Sequence, residues 1–290
     1  MTRGLTSGGE NGLKPAEGQR NYSPGWRSGT KVYLPPLIKA VMKRDWHGYQ
    51  HFPRGGGMIV AANHLSYADW PAMALFTHEA GRYPAFLIKS SVFNLKLIGP
   101  YLRKLGQLPV RREQADAALV LKDAEKALAG GECLIIYPEG TASRDPDHWP
   151  MVAKTGAARL ALATGVPVIP VAQWGAQDIL PYGTTKPRVY PRKTVHMLAG
   201  PPVDLSDFEG KPLNRETLRG ATAAIMADIT SLLAELRGDQ PPEHPFDPVA
   251  ARRAARNSAA SQEVPAPPAE GPTSTQPASL PDDPRETTPT

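Results

Sequence analysis

The sequence predicts an α/β fold, a single domain with a mostly parallel central sheet flanked by helices. Three observations lead there. Short apolar runs alternate with longer stretches of helical periodicity from Tyr33 to Leu236. Two of the apolar runs end in polar, Gly- or Asp-containing loops. The two ends of the chain differ from the middle: residues 1–22 carry no apolar periodicity, and 12 of the 32 prolines fall in the 50 residues from Pro241 onward. Such ends bury too little apolar surface to offset the entropy of ordering. The expected organisation is a disordered segment over 1–22, a folded domain over 23–240 and a Pro-rich disordered tail over 241–290.

The elements follow in order. Pro35 and Pro36 suit a helix start, and Leu37, Ile38, Val41, Met42 and Trp46 then share one helical face, with Lys39, Lys43 and Arg44 off it. Such a basic helix suits a membrane interface as well as packing on the domain. Met58–Ala62 reads as a buried strand, Ala72–Ala80 as a helix and Pro84–Ile88 as a strand. Leu95–Leu105 reads as a helix interrupted near Gly99-Pro100, and Gln107–Val110 as a short strand. Glu113–Leu128 is a helix ended by Gly130-Gly131, and Cys133–Tyr137 the next strand. Thr155–Thr164 is a helix, Val166–Val171 a strand with edge prolines and Val195–Leu198 another strand. Arg215–Leu236 closes the domain, with Leu218, Ala221, Ile225, Ile229 and Leu232 as its apolar stripe.

The formal net charge is +5. A mildly basic domain suits anionic partners, including phosphates and an acidic membrane surface. Nucleic acid is not an expected partner, because no helical Arg/Lys stripe or aromatic-flanked RNA motif is present. The one cysteine, Cys133, sits in an apolar run and reads as a buried strand residue in a reducing compartment. No ligand-spaced His/Cys cluster occurs, so no metal is expected. No apolar run approaches the roughly 20 residues that span a bilayer.

Chemistry concentrates in the loops after the strands. Asn63-His64-Leu65-Ser66-Tyr67-Ala68-Asp69 follows the first buried strand and places His64 where α/β sheets hold ligands. A tight loop can bring Asp69 back to one imidazole nitrogen and leave the other free to take a proton. Asp69 also suits the start of the next helix as a cap. Ser66 reads as local loop hydrogen bonding. Tyr137-Pro138-Glu139-Gly140-Thr141 stands at a second strand end and reads as a hydroxyl-binding loop or a simple turn. Gly106-Gln107-Leu108-Pro109-Val110-Arg111-Arg112 delivers arginine to a third, as a phosphate fork or as solvated charge.

In chain order, Asn63–Asp69, Gly106–Arg111, Tyr137–Thr141 and Val166–Val171 together resemble the glycerolipid acyltransferase family over about Gly48 to Pro202. The resemblance implies a glycerol-3-phosphate acyltransferase-like fold and an O-acyltransferase. It implies acyl transfer from acyl-CoA or an acyl carrier protein to the sn-2 hydroxyl of 1-acylglycerol-3-phosphate. His64 and Asp69 match the catalytic pair, and Arg111, Pro138, Glu139, Gly140 and Thr141 the substrate-binding positions. Lys154 and Gly156 match the segment that follows. Where the family continues with Arg-Ser after the threonine, this chain has Ala142-Ser143-Arg144, which displaces the arginine. Arg144, with Arg111 and Lys154, is expected at the acceptor phosphate. The displacement keeps other lysolipids, glycerol 3-phosphate and glycolipids open as acceptors, and an inactive membrane-surface scaffold is the non-enzymatic alternative. No cofactor beyond the thioester co-substrate is implied. The expected location is cytoplasmic, peripheral to the inner face of the cell membrane.

Overall fold

The computed structural model describes Val32, residues 35–110 and residues 117–262. Seven strands form one sheet: β1 (Met42–His47), β2 (Met58–Ala62), β3 (Pro84–Lys89), β4 (Leu108–Val110), β5 (Cys133–Ile136), β6 (Val168–Trp174) and β7 (Lys193–Ala199). Their order is β1-β7-β6-β2-β5-β3-β4. Five strands, from β6 to β4, run parallel; β7 pairs antiparallel with β6, and β1 runs parallel to β7.

The central strands are covered on both faces. Met58, Val60 and Ala62 of β2 join one apolar layer with Ala72, Met73 and Phe76 of helix α2 (Asp69–Glu79). Ile59 and Ala61 point into the opposite layer. There they meet residues of α4 (Ala117–Ala129), α5 (Gly156–Thr164) and α7 (Arg215–Arg237). Continuous apolar runs such as Cys133–Ile136 are what a strand buried on both faces requires. Cys133 is fully buried, and desolvation pushes its thiol up to about 12. The stripe of α7 lies as expected except at its end, where Leu233 is buried and Leu232 is only partly so.

Three expectations need correction. The helix predicted from Pro35 through Trp46 stops early: α1 covers residues 35–41, and Met42–His47 is strand β1. A spacing of four between Met42 and Trp46 is one helical turn and also two strand repeats, so it suits both. The tertiary contacts decide: Trp46 Nε1 donates to the Val195 carbonyl of the paired strand at 2.9 Å, and its ring meets Phe76 edge-on. Next, α3 (Ile98–Lys104) is not interrupted at Pro100, which lies in the first turn, where no backbone donor is needed. Gly99 is required there, since a Cβ would stand 1.9 Å from the Phe93 carbonyl oxygen. Last, the segment beyond Pro241 is not structureless throughout. Val152 N donates to the Phe246 carbonyl at 3.0 Å, and α8 (Pro248–Gln262) forms a separate unit from Val249 onward. Pro at its first position and a run of Ala and Arg favour that helix over the disorder suggested by overall composition. No helix among the described residues is long and apolar enough to cross a membrane.

Candidate active site

β2 and β5 are neighbours and parallel, so their carboxyl ends release two loops side by side. Asn63–Ala68 follows β2, and a longer loop from Tyr137 to Thr155 follows β5. Their backbones are tied across the gap. Ser143 N donates to the His64 carbonyl at 2.6 Å, and His64 N donates to Glu139 Oε1 at 2.9 Å. Within the second loop, Lys154 N donates to the Pro138 carbonyl at 2.9 Å.

Asp69 opens α2 but does not cap it: its carboxylate turns back into the preceding loop. Oδ2 accepts from Leu65 N at 2.6 Å and from Ser66 N at 2.9 Å, and it lies 2.8 Å from His64 Nδ1. The carboxylate side chain is fully buried, while the imidazole is 14% exposed. An oxygen already accepting two backbone hydrogens accepts the third from the ring as well, which places the hydrogen on Nδ1 and leaves Nε2 to take a proton. Ser66 holds the loop, donating from Oγ to the Leu180 carbonyl at 2.6 Å and accepting from Ala68 N. The bond from Ala68 N is the local one expected of it, whereas the bond to Leu180 ties the loop to a distant segment.

Two supports were not singled out from sequence. Tyr137 stacks on the His64 ring, with centroids 4.4 Å apart and planes at 20°. Burial raises its phenol pKa well above the ordinary value, and the nearby Asp69 charge adds to the rise. Asn63 clamps β2 to β6: its Nδ2 donates to the Gln173 carbonyl at 3.0 Å and its Oδ1 accepts from Gln173 N at 2.8 Å. The available signal was a glutamine inside an otherwise apolar strand.

Glu139 points inward. It is buried, and its two oxygens accept from His64 N and from Met151 N, the latter at 3.0 Å. Burial pushes its carboxyl up to about 8, against those two backbone bonds and helped by the charges of Asp69 and Asp145. A carboxyl raised in the folded state contributes stability that is complete below the unfolded value of 4.5 and lost as pH climbs through about 8. The urea midpoint of the wild type is therefore expected to fall between these pH values more steeply than that of Glu139→Gln. Parallel profiles would contradict this.

An apolar cavity of about 1240 Å³ adjoins the two loops. His64, Tyr137, Pro138, Gly140 and Lys154 line it on the loop side, and Phe86, Leu102, Leu121 and Leu160 are among its apolar walls. Gly140 has φ 73°, and a Cβ there would meet Lys154 Nζ at 3.0 Å, so this glycine lets the lysine pass close over the loop. Of the residues expected at the site, His64, Asp69, Pro138, Gly140 and Lys154 come together. Glu139 serves the backbone behind them; neither it nor Thr141 is among the cavity-lining residues. Arg144 is exposed and does not line the cavity, and Ala142 is fully buried. Arg111 lies outside the described residues.

Residues 43–174 match the acyltransferase family model. The chloroplastic 1-acyl-sn-glycerol-3-phosphate acyltransferase of Brassica napus is 30% identical over 156 residues, covering 53% of this chain and 44% of its own length. This chain thus spans under half of that relative. The 1-acyl-sn-glycerol-3-phosphate acyltransferase of Bacillus subtilis is 26% identical over 186 residues, 63% of this chain and 84% of the relative. Among solved structures, the 1-acyl-sn-glycerophosphate (LPA) acyltransferase from Thermotoga maritima superposes with a TM-score of 0.56 at 25% identity, covering 74% of this chain and 84% of that one.

Proposed function

Since the chain carries an acyltransferase-family domain over residues 43–174, we propose that it moves a fatty acyl group from acyl-CoA or acyl carrier protein to the sn-2 hydroxyl of 1-acylglycerol-3-phosphate. One observation carries this reading: an imidazole bonded through Nδ1 to a buried carboxylate at 2.8 Å, on the wall of an apolar cavity large enough for an acyl chain.

The chemistry follows from the pair. His64 Nε2 takes the proton from the acceptor hydroxyl as its oxygen attacks the thioester carbonyl carbon. Asp69 holds the ring and stabilises the imidazolium that forms. The C–S bond then breaks, and the thiolate leaves with the proton returned by His64. No protein nucleophile is needed. Ser66 Oγ is engaged with the Leu180 carbonyl, and Cys133 is fully buried at the opposite, amino-terminal end of β5. Lys154, beside Gly140 on the cavity wall, is the cation assigned to the acceptor phosphate, with Arg111 and Arg144 as further candidates. Pro138, Gly140 and Thr141 shape the loop that faces the glycerol, and Glu139 fixes that loop against His64. The protein acts peripherally, at the inner face of the cell membrane, where its lipid acceptor resides.

The test is a thiol-release assay with acyl-CoA and acyl carrier protein donors against a panel of acceptors: lysophosphatidic acid, other lysolipids, glycerol 3-phosphate and a glycolipid. Mass analysis of the product lipid accompanies it. Acceptor-dependent thiol release with phosphatidic acid as product is expected. Release that no hydroxyl acceptor stimulates would refute acyl transfer, and preference for another acceptor would move the assignment to that lipid.

A further inference from the structure

Between α2 and α4 the molecule presents a surface that the catalytic pair does not use. A short 3-10 helix (Ser90–Asn94) leads through a turn into α3. At that turn three large aliphatic side chains stand in solvent: Leu95 is 50% exposed, Leu97 88% and Ile98 47%. The basic residues of the same segment, Lys96, Arg103 and Lys104, are exposed as well. From Tyr83 to Val110 the sequence contains four basic residues and no Asp or Glu. Exposed aliphatic residues flanked by cations, with acidic residues excluded, are the pattern of a surface that meets apolar material beneath a negative layer. The turn is also continuous with the cavity: Val92, Ile98 and Tyr101 line it. Tyr67 and Trp70, each more than half exposed, line the same cavity, and such rings suit the headgroup level of a bilayer.

We propose that the turn at Leu95–Ile98 is the docking surface of the protein on a bilayer containing anionic lipid, with the aliphatic side chains inserted and Lys96, Arg103 and Lys104 against the headgroups. The inference rests on the acyl-transfer reading for its purpose, because a lysolipid entering the cavity there keeps its acyl chain out of water. It rests on its own observations for the binding itself. A bilayer fits better than an acidic carrier protein: Leu97 protrudes almost fully, as insertion into a fluid phase requires, and is not seated in a shaped recess.

The experiment is co-sedimentation with phosphatidylcholine vesicles, with and without phosphatidylglycerol, run beside thiol release on a short-chain, water-soluble lyso-acceptor. Neither Leu95 nor Leu97 lines the cavity. The double variant Leu95→Glu/Leu97→Glu is expected to bind anionic vesicles about tenfold more weakly or worse, and to turn over the soluble acceptor like the wild type. Lys96→Glu keeps the apolar side chains and covers the case in which the double variant does not fold. It is expected to lose about tenfold in binding to anionic vesicles, with little change on neutral ones. Wild-type protein that stays in the supernatant, or variants that sediment as the wild type does, would overturn the docking surface. Retention on immobilised acyl carrier protein without vesicle binding would overturn the bilayer as its occupant. Wild-type protein that binds anionic vesicles but releases no thiol would remove the acyl-transfer reading and leave the docking surface standing.

Discussion

His64→Ala is expected to lower kcat for thiol release by about 10²–10⁴-fold, the contribution of a positioned general base. Folding is expected to survive. The ring is partly exposed, and its loss leaves Asp69 Oδ2 still accepting from Leu65 N and Ser66 N. The loop is also held by backbone groups that the substitution does not touch: His64 N on Glu139 and the His64 carbonyl accepting from Ser143 N. KM for the acceptor is expected to move little, since Lys154 and the loop after β5 remain. Steady-state kinetics together with a thermal melt check both halves. Unchanged turnover in a folded variant would remove His64 from the chemistry.

Asp69→Ala is expected to lose activity on a similar scale and, unlike His64→Ala, to lose stability. One oxygen of this carboxylate serves three donors, two of them the buried backbone N–H groups of Leu65 and Ser66. Removing it leaves those two donors unpaired at about 1–3 kcal/mol each, so a loss of about 2–6 kcal/mol in unfolding free energy is expected. Activity falls because the ring loses the acceptor that fixes its tautomer and balances its charge. Urea unfolding beside thiol release separates the two effects. A variant as stable as the wild type would mean that the carboxylate does not anchor the loop.

The His64–Asp69 pair was legible because one short loop, directly after a strand buried on both faces, separates His64 from Asp69 at the start of the next helix. Local spacing carries such a constellation with no knowledge of the sheet order. The inward turn of Glu139 was not legible: His64 N becomes its partner only once β2 and β5 lie side by side, and Met151 N reaches it only through the folding of the long loop after β5. The clamp of Asn63 on Gln173 depends in the same way on β6 lying on the other side of β2. Most strands were visible as short apolar runs, and α7 as a long stripe. β1 was hidden because Met42 and Trp46 are spaced for either period, and only pairing with β7 resolves them. The helix at Pro248–Gln262 was masked by averaging its Ala- and Arg-rich sequence with the prolines around it.

The most direct test of the account is a double-mutant cycle on His64 and Asp69, read as single-turnover thiol release with acceptor present. If the carboxylate acts on the reaction through the imidazole, His64→Ala/Asp69→Asn will be about as slow as His64→Ala alone, because residues that work as one unit lose their function once. A double variant slower than His64→Ala by the full factor that Asp69→Asn costs on its own would contradict the pairing, and with it the proposal that a braced imidazole activates the acceptor hydroxyl.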